Sequence, residues 1–188
     1  MTAVGPHRVS HTGTSEAVED YAKAIYALQR RRDGQPVSTN DLAERLGVTP
    51  ASASAMVKKM AEMGLAQHTP YRGVGLSAEG ERLALEVLRH HRLLELYLAT
   101  SLDVPWDRVH DEAEVLEHVL SEELEALIAA KLGHPTRDPH GDPIPTAELE
   151  IEEEPTERLA DQLPGAAGRF VRDADRGRRR GASIGRTR

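Results

Sequence analysis

Four side chains able to hold a metal ion stand in one short segment: His110, Glu114, Glu117 and His118. At about 100° per residue of an α-helix, they point at roughly 0°, 40°, −20° and 80°, so all four share one arc. Ala113, Val115, Leu116, Val119 and Leu120 take the other side of such a helix. Upstream, His91 and Glu95 are spaced i and i+4 and again share a face. If the two helices pack side by side, six imidazole and carboxylate groups converge. Clustered carboxylates repel unless a cation or protons neutralise them. Mixed nitrogen and oxygen donors without sulfur suit Mn²⁺, Fe²⁺, Co²⁺ or Zn²⁺; carboxylate-rich sets lean toward Mn²⁺, and the affinity order alone favours Zn²⁺. The competing reading is a solvated acidic helix face.

Helices must position these groups, and the hydrophobic spacing supplies them. Val18, Tyr21, Ala22, Ile25 and Leu28 mark a helix from about Ser15 to Arg32, stopped by Asp33-Gly34. A short helix is expected over 38–46, with Ser38 as cap and Gly47 at its end. The next runs from Pro50 to Met63, capped by Thr49, with Ala53, Met56, Val57 and Met60 as its apolar stripe. Leu65–His68 and Val74–Leu76 flank a turn-rich connection and read as a hairpin. Ser77 opens a long helix to about Thr100, and after Pro105-Trp106 a further helix spans Asp107 to Lys131 with a bend near Ser121.

Three helices and a hairpin make a winged helix-turn-helix, whose third helix would enter the DNA major groove. Thr49, Pro50, Ala51, Ser52 and Ser54 are small enough to let its backbone approach base edges. Lys58, Lys59, Tyr71 and Arg72 are placed to meet the phosphates, and Ser38 and Thr39 are further DNA-binding candidates. The competing reading is an ordinary three-helix bundle in which Ser and Thr only cap.

The chain has 188 residues and a formal net charge of −7. Residues 16–75 are nearly neutral, whereas 76–157 hold six Lys/Arg against twenty-one Asp/Glu and 158–188 hold nine against three. Charge this sparse near the third helix predicts weak DNA binding unless dimerisation doubles the contacts. There is no cysteine, which excludes disulfides, thiolate metal sites and cysteine nucleophiles and fits a reducing cytoplasm. Aromatics are 3%, so aliphatic side chains must build the core. No apolar run approaches the roughly 18 residues of a membrane span, so no membrane partner is expected.

The segments EDYAKAIYAL (19–28), the helix-turn-helix of 38–64, RHHRLLELYL (89–98), VHDEAEVLEHVLS (109–121) and DPHGDPIP (138–145) together resemble the diphtheria toxin repressor family. That family of metal-dependent transcriptional repressors includes the manganese transport regulators. The resemblance implies a mainly α-helical homodimer: a flexible tail at 1–15, a winged-helix DNA-binding domain at 16–76, and a metal-binding and dimerisation domain at 77–145. It places one metal site at Asp20, Glu114, Glu117 and His118, and a second at His91, Glu95 and His110. Iron-type members have methionine and cysteine where Asp20 and Glu114 stand, and manganese-type members have aspartate and glutamate, so the first site looks manganese-type. Lys23 replaces a glutamate of the best-studied manganese branch, which argues against a closely bridged binuclear site. In many relatives an SH3-like domain follows. LPGAAGRFVRDAD (163–175) looks like its opening, and the Arg-rich remainder is too short to close a barrel, so 146–188 reads as a truncated remnant.

The resulting expectation is a cytoplasmic, Mn²⁺-dependent repressor of metal-uptake genes acting on a palindromic operator. Fe²⁺ is the alternative signal, and Co²⁺, Zn²⁺ or Cd²⁺ would substitute in vitro. A winged-helix regulator with a structural metal site is the other alternative. No organic substrate is expected: the sequence has no nucleophile elbow, phosphate loop or HExxH motif.

Overall fold

A computed structural model describes residues 14–69 and 72–151. The expectations for Tyr71, for almost all of the N-terminal tail and for the SH3-like remnant with its Arg-rich end lie outside the described residues.

Helix α1 (Glu16–Arg30) turns Val18, Tyr21, Ala22, Ala24 and Ile25 inward. Helix α2 (Thr39–Leu46) is capped by Ser38, whose side chain accepts from the Asp41 N–H, and ends at Gly47 in the left-handed conformation. That positive φ sets the sharp turn into α3 (Pro50–Glu62), which Thr49 caps through the Ser52 N–H. Strands β1 (Ala66–Thr69) and β2 (Gly73–Leu76) pair antiparallel, and Val37 adds a bridge to Val74. Ile25, Val37, Leu42, Val57, Met60, Val74 and Leu83 pack into the first core.

Helix α4 (Ala78–Ser101) starts against this core. A Cβ on Gly80 would lie 1.9 Å from the Leu65 carbonyl oxygen, so only glycine lets α4 cross there. At about 1.5 Å per residue, 24 residues carry α4 roughly 36 Å. Its second half joins another core, in which Leu93, Leu94 and Leu98 meet Val109, Ala113, Ile128, Ala129 and Ile144.

The segment after Pro105 differs from the single bent helix expected. It forms α5 (Trp106–Leu116) and α6 (Glu122–Lys131), separated by a turn. Ser121 caps α6 by accepting from the Leu124 N–H at 3.3 Å, and Glu122, Glu123 and Glu125 sit in its first turn. A capping hydroxyl and acidic first-turn residues stabilise a new N-terminus more than a continued helix would. Glu117 ends α5, still donating its N–H to Ala113, and His118 follows in the turn. The 138–145 segment then folds back onto α4. Arg89 donates to the Pro145 carbonyl at 2.6 Å, and Arg92 donates to that of Pro143.

Candidate metal centre

Two groups of donor side chains meet where α1, α4 and the end of α5 converge. In the first, one donor atom each from Asp20, Glu117 and His118 lies within 4.8 Å of the others. Asp20 comes from α1, and Glu117 and His118 come from the end of α5. His118 Nε2 is 3.2 Å from Asp20 Oδ1 and 3.5 Å from Glu117 Oε1. Its Nδ1 is 2.6 Å from Glu19 Oε2, and Thr14 donates to the other Glu19 oxygen at 3.0 Å. Glu19 therefore fixes the ring and leaves Nε2 facing the cluster, as a carboxylate behind a ligating histidine does. The Asp20 pKa is raised: burial, helped by the charges of Glu114 and Glu117, prevails over the lowering by His118 and Lys23.

In the second group, donor atoms of His91, His110 and Glu114 lie within 4.8 Å of one another. Glu95 belongs with them: its Oε1 is 3.0 Å from His110 Nδ1 and 3.1 Å from His91 Nε2. Burial disfavours a charge on His91, but hydrogen bonds to Glu117 and Glu95 prevail and push its pKa up to about 9. Burial likewise opposes ionisation of Glu95, yet hydrogen bonds from His110 and His91 hold it well below the usual carboxylate range. The His110 pKa is raised, chiefly by its bond to Glu95.

Glu117 joins the groups. Its side chain is fully buried; Oε1 lies 3.5 Å from His118 Nε2, while Oε2 lies 2.5 Å from His91 Nδ1. Lys23 fills the space between α1 and α5, its Nζ 2.5 Å from Glu117 Oε1 and 2.8 Å from Glu114 Oε1. Burial alone would lower the Lys23 pKa, but the two glutamates raise it, so the ammonium stays charged. Glu114 is thus held by Lys23 and lies 3.8 Å from His110 Nε2, which places it with the second group rather than with the first group to which the resemblance assigns it.

Sequence reasoning found every carboxylate and imidazole of these groups but missed Glu19, the bridging role of Lys23 and a neighbouring buried network. In that network Glu125 accepts from Arg89 at 2.6 Å and contacts His90 Nε2 at 3.1 Å, while His90 Nδ1 meets the Glu117 carbonyl at 3.1 Å. The doublet His90-His91 was the available signal, because adjacent helix positions face different neighbours.

Thr49, Pro50, Ala51, Ser52, Ser54, Lys58 and Lys59 are exposed at the cap and along α3, and Arg72 is exposed in the wing. Ser38 and Thr39 are half-buried at the start of α2. Ser38 is engaged as a cap and also donates to Asp41 at 2.7 Å. Thr49 and Ser52 share a 2.9 Å hydrogen bond as part of the α3 cap.

Residues 13–74 match the family described as iron dependent repressor, N-terminal DNA binding domain. Residues 77–146 match iron dependent repressor, metal binding and dimerisation domain. The chain belongs to the diphtheria toxin repressor family. It is 36% identical over 141 residues to the iron-dependent repressor IdeR of Mycobacterium tuberculosis, covering 74% of this chain and 60% of that protein. The chain thus spans about three fifths of the length of such curated relatives. Among solved structures, a manganese-dependent transcriptional repressor in complex with manganese matches at TM-score 0.68 and 46% identity, covering 78% of this chain and 66% of that one. The manganese regulator SloR matches at TM-score 0.64 and 34% identity, covering 80% and 67%. Within this family the first group of donors spans the DNA-binding match and the metal-binding match, since Asp20 falls in one and Glu117 and His118 in the other. No helix among the described residues is long and apolar enough to cross a membrane.

Proposed function

We propose that this chain is a cytoplasmic, metal-responsive transcriptional repressor that acts as a homodimer on a palindromic operator, with Mn²⁺ as its signal and metal-uptake genes as its targets. The carrying observation is the meeting of Asp20 on α1 with Glu117 and His118 at the end of α5. Two carboxylates and one imidazole suit a divalent ion of the Mn²⁺ or Fe²⁺ class, and the oxygen majority favours Mn²⁺. Asp20, Glu117 and His118 would hold one ion, with Glu114 adjacent. His91, Glu95 and His110 would hold another.

The bound ion supplies positive charge between the two regions. Asp20 orients α1 toward it, Glu117 links it to the second group, and Glu19 keeps the His118 ring in place. Drawing α1 onto α5 fixes the recognition helix α3, because α1 and α3 share the first core. In a dimer this favours the spacing at which two α3 helices enter successive major grooves, about 34 Å apart. Coupling of this kind is usually worth about 1–3 kcal/mol. Val115, Val119, Leu124 and Leu127 are exposed on α5, the following turn and α6, and they supply the apolar face for a second copy.

Lys23 changes the metal-free state. Carboxylate repulsion alone would open the α1–α5 contact, but its ammonium already offsets Glu114 and Glu117. The first group is therefore mononuclear, with Lys23 standing where a second ion would otherwise neutralise the glutamates. Titrating Mn²⁺ into metal-free protein and counting tightly bound ions tests this: two per chain fits one in each group, and three overturns it. Fe²⁺ is the second reading, favoured by the likeness of His91, Glu95 and His110 to an iron-type ancillary set; anaerobic titration with Fe²⁺ separates the two.

A further inference from the structure

His140 lies in the 138–145 segment, which neither donor group described above includes. Its Nε2 is 3.6 Å from Glu95 Oε1, the oxygen that His110 Nδ1 approaches to 3.0 Å and His91 Nε2 to 3.1 Å. Three imidazoles from three elements thus surround one carboxylate oxygen, and the Glu95 side chain is only 3% exposed. Donor atoms at about 2.1 Å from a tetrahedral ion are separated by about 3.4 Å, within the range of these contacts.

The segment is held in place. Asp138 Oδ1 accepts from the N–H groups of His140 and Asp142, both at 2.8 Å. Arg137 donates to the Gly141 carbonyl at 2.7 Å, and Arg89 and Arg92 bind the Pro145 and Pro143 carbonyls. The His140 ring packs against Trp106 in a tilted contact, with centroids 4.5 Å apart and ring planes at 58°. These contacts fix both the backbone and the ring plane of a histidine with a quarter of its side chain exposed.

We propose that His140 is a fourth ligand of the second group, completing a three-histidine, one-glutamate site from this chain's own residues. With three nitrogen donors this site prefers borderline divalent ions such as Co²⁺, Zn²⁺ or Fe²⁺ over Mn²⁺, whereas the first group, richer in oxygen, leans toward Mn²⁺. The inference rests on the reading that the second group binds metal at all.

Trp106 is the only tryptophan in the chain and touches the His140 ring, so its emission reports on the site. The test titrates Co²⁺ into the full chain, preloaded with one equivalent of Mn²⁺, and follows both Trp106 quenching and cobalt visible absorption. Wild type is expected to take one equivalent of Co²⁺ with both signals changing together. His140→Ala is expected to weaken that equivalent at least tenfold and to alter the cobalt spectrum, which does not depend on the tryptophan. His110→Ala, at a residue with 59% side-chain exposure, controls for the whole group. If His110→Ala loses the Co²⁺ equivalent while His140→Ala keeps wild-type affinity and spectrum, the His140 assignment is overturned and the second group stands. If both variants keep them, the second group itself is not a metal site and the assignment falls with it.

Discussion

The ammonium of Lys23 lies 2.5 Å from Oε1 of Glu117, a carboxylate with no solvent exposure. The pair ties α1 to the end of α5 across the boundary between the two regions matched to the family, so one built-in cation contributes to the contact that metal would strengthen. Replacing it with a carboxylate, Lys23→Glu, restores the repulsion and adds a donor. The metal-free variant is expected to lose roughly 1–3 kcal/mol of stability, below the range for a fully buried pair because Lys23 is partly exposed. It is also expected to bind one more Mn²⁺ per chain. Chemical denaturation with EDTA present, together with a count of bound ions, checks both.

Asp20 is the only donor of the first group on α1, and its side chain is 39% exposed, so removing it leaves the core intact. Asp20→Ala is expected to keep the wild-type circular dichroism spectrum and melting temperature without metal. Its Mn²⁺-dependent gain in DNA affinity should fall at least tenfold. Parallel thermal melts and DNA titrations distinguish this from misfolding.

On the DNA face, Lys58 and Lys59 are exposed and Ser54 lies between the cap and these lysines. A lysine that neutralises a phosphate makes affinity steeply salt-dependent. Each of Lys58→Ala and Lys59→Ala should therefore lower the slope of log affinity against log salt by about one for each phosphate no longer neutralised. Ser54→Glu puts a negative charge at the major groove and should abolish DNA binding while leaving the metal stoichiometry unchanged. Isothermal titration of metal and anisotropy on DNA measure the two properties separately.

Glu125 is buried beneath Arg89 and His90. Burial alone would raise its pKa, but the His90 hydrogen bond and the Arg89 charge pull it from 4.5 to about 2. A carboxylate depressed in the folded state contributes stability above its unfolded pKa and loses it as pH falls through the folded value. About 3 kcal/mol is therefore expected to disappear between pH 4.5 and about 2, and Glu125→Gln should flatten that part of the profile. Denaturant melts at stepped pH measure it.

Val115 and Val119 are 72% and 71% exposed, so a charge at either costs the monomer little. Val115→Glu and Val119→Glu are expected to yield folded monomers by sedimentation, with DNA affinity reduced at least tenfold because two half-sites no longer act together.

Much of the donor set was legible from spacing. The i, i+4 pair His91 and Glu95 and the run from His110 to His118 named the donors, because helical periodicity converts sequence offset into direction. The grouping of those donors was less legible. The resemblance groups Glu114 with Asp20, Glu117 and His118, whereas in the structure Glu114, one turn after His110 on α5, lies 3.8 Å from His110 Nε2 and is held by Lys23. Glu19 and His140 escaped notice for a different reason. Each acts through a tertiary contact, Glu19 with a residue 99 positions away and His140 with one on α4, which helical periodicity does not reveal. Ser38 and Thr49 carry two readings at once, and their capping bonds are what the structure displays.

In the proposed function, an ion shared by Asp20, Glu117 and His118 governs DNA recognition. The most direct test is fluorescence anisotropy of the full chain on a palindromic duplex selected from a random library with Mn²⁺-loaded protein. Binding is measured in chelator, with Mn²⁺, and for Asp20→Ala under both conditions. The expected result is an affinity gain of roughly 10–100-fold with Mn²⁺ in wild type, within the usual range of coupling between sites, and little gain in the variant. Equal affinity in chelator and in Mn²⁺, or a full Mn²⁺ response in Asp20→Ala, would contradict it.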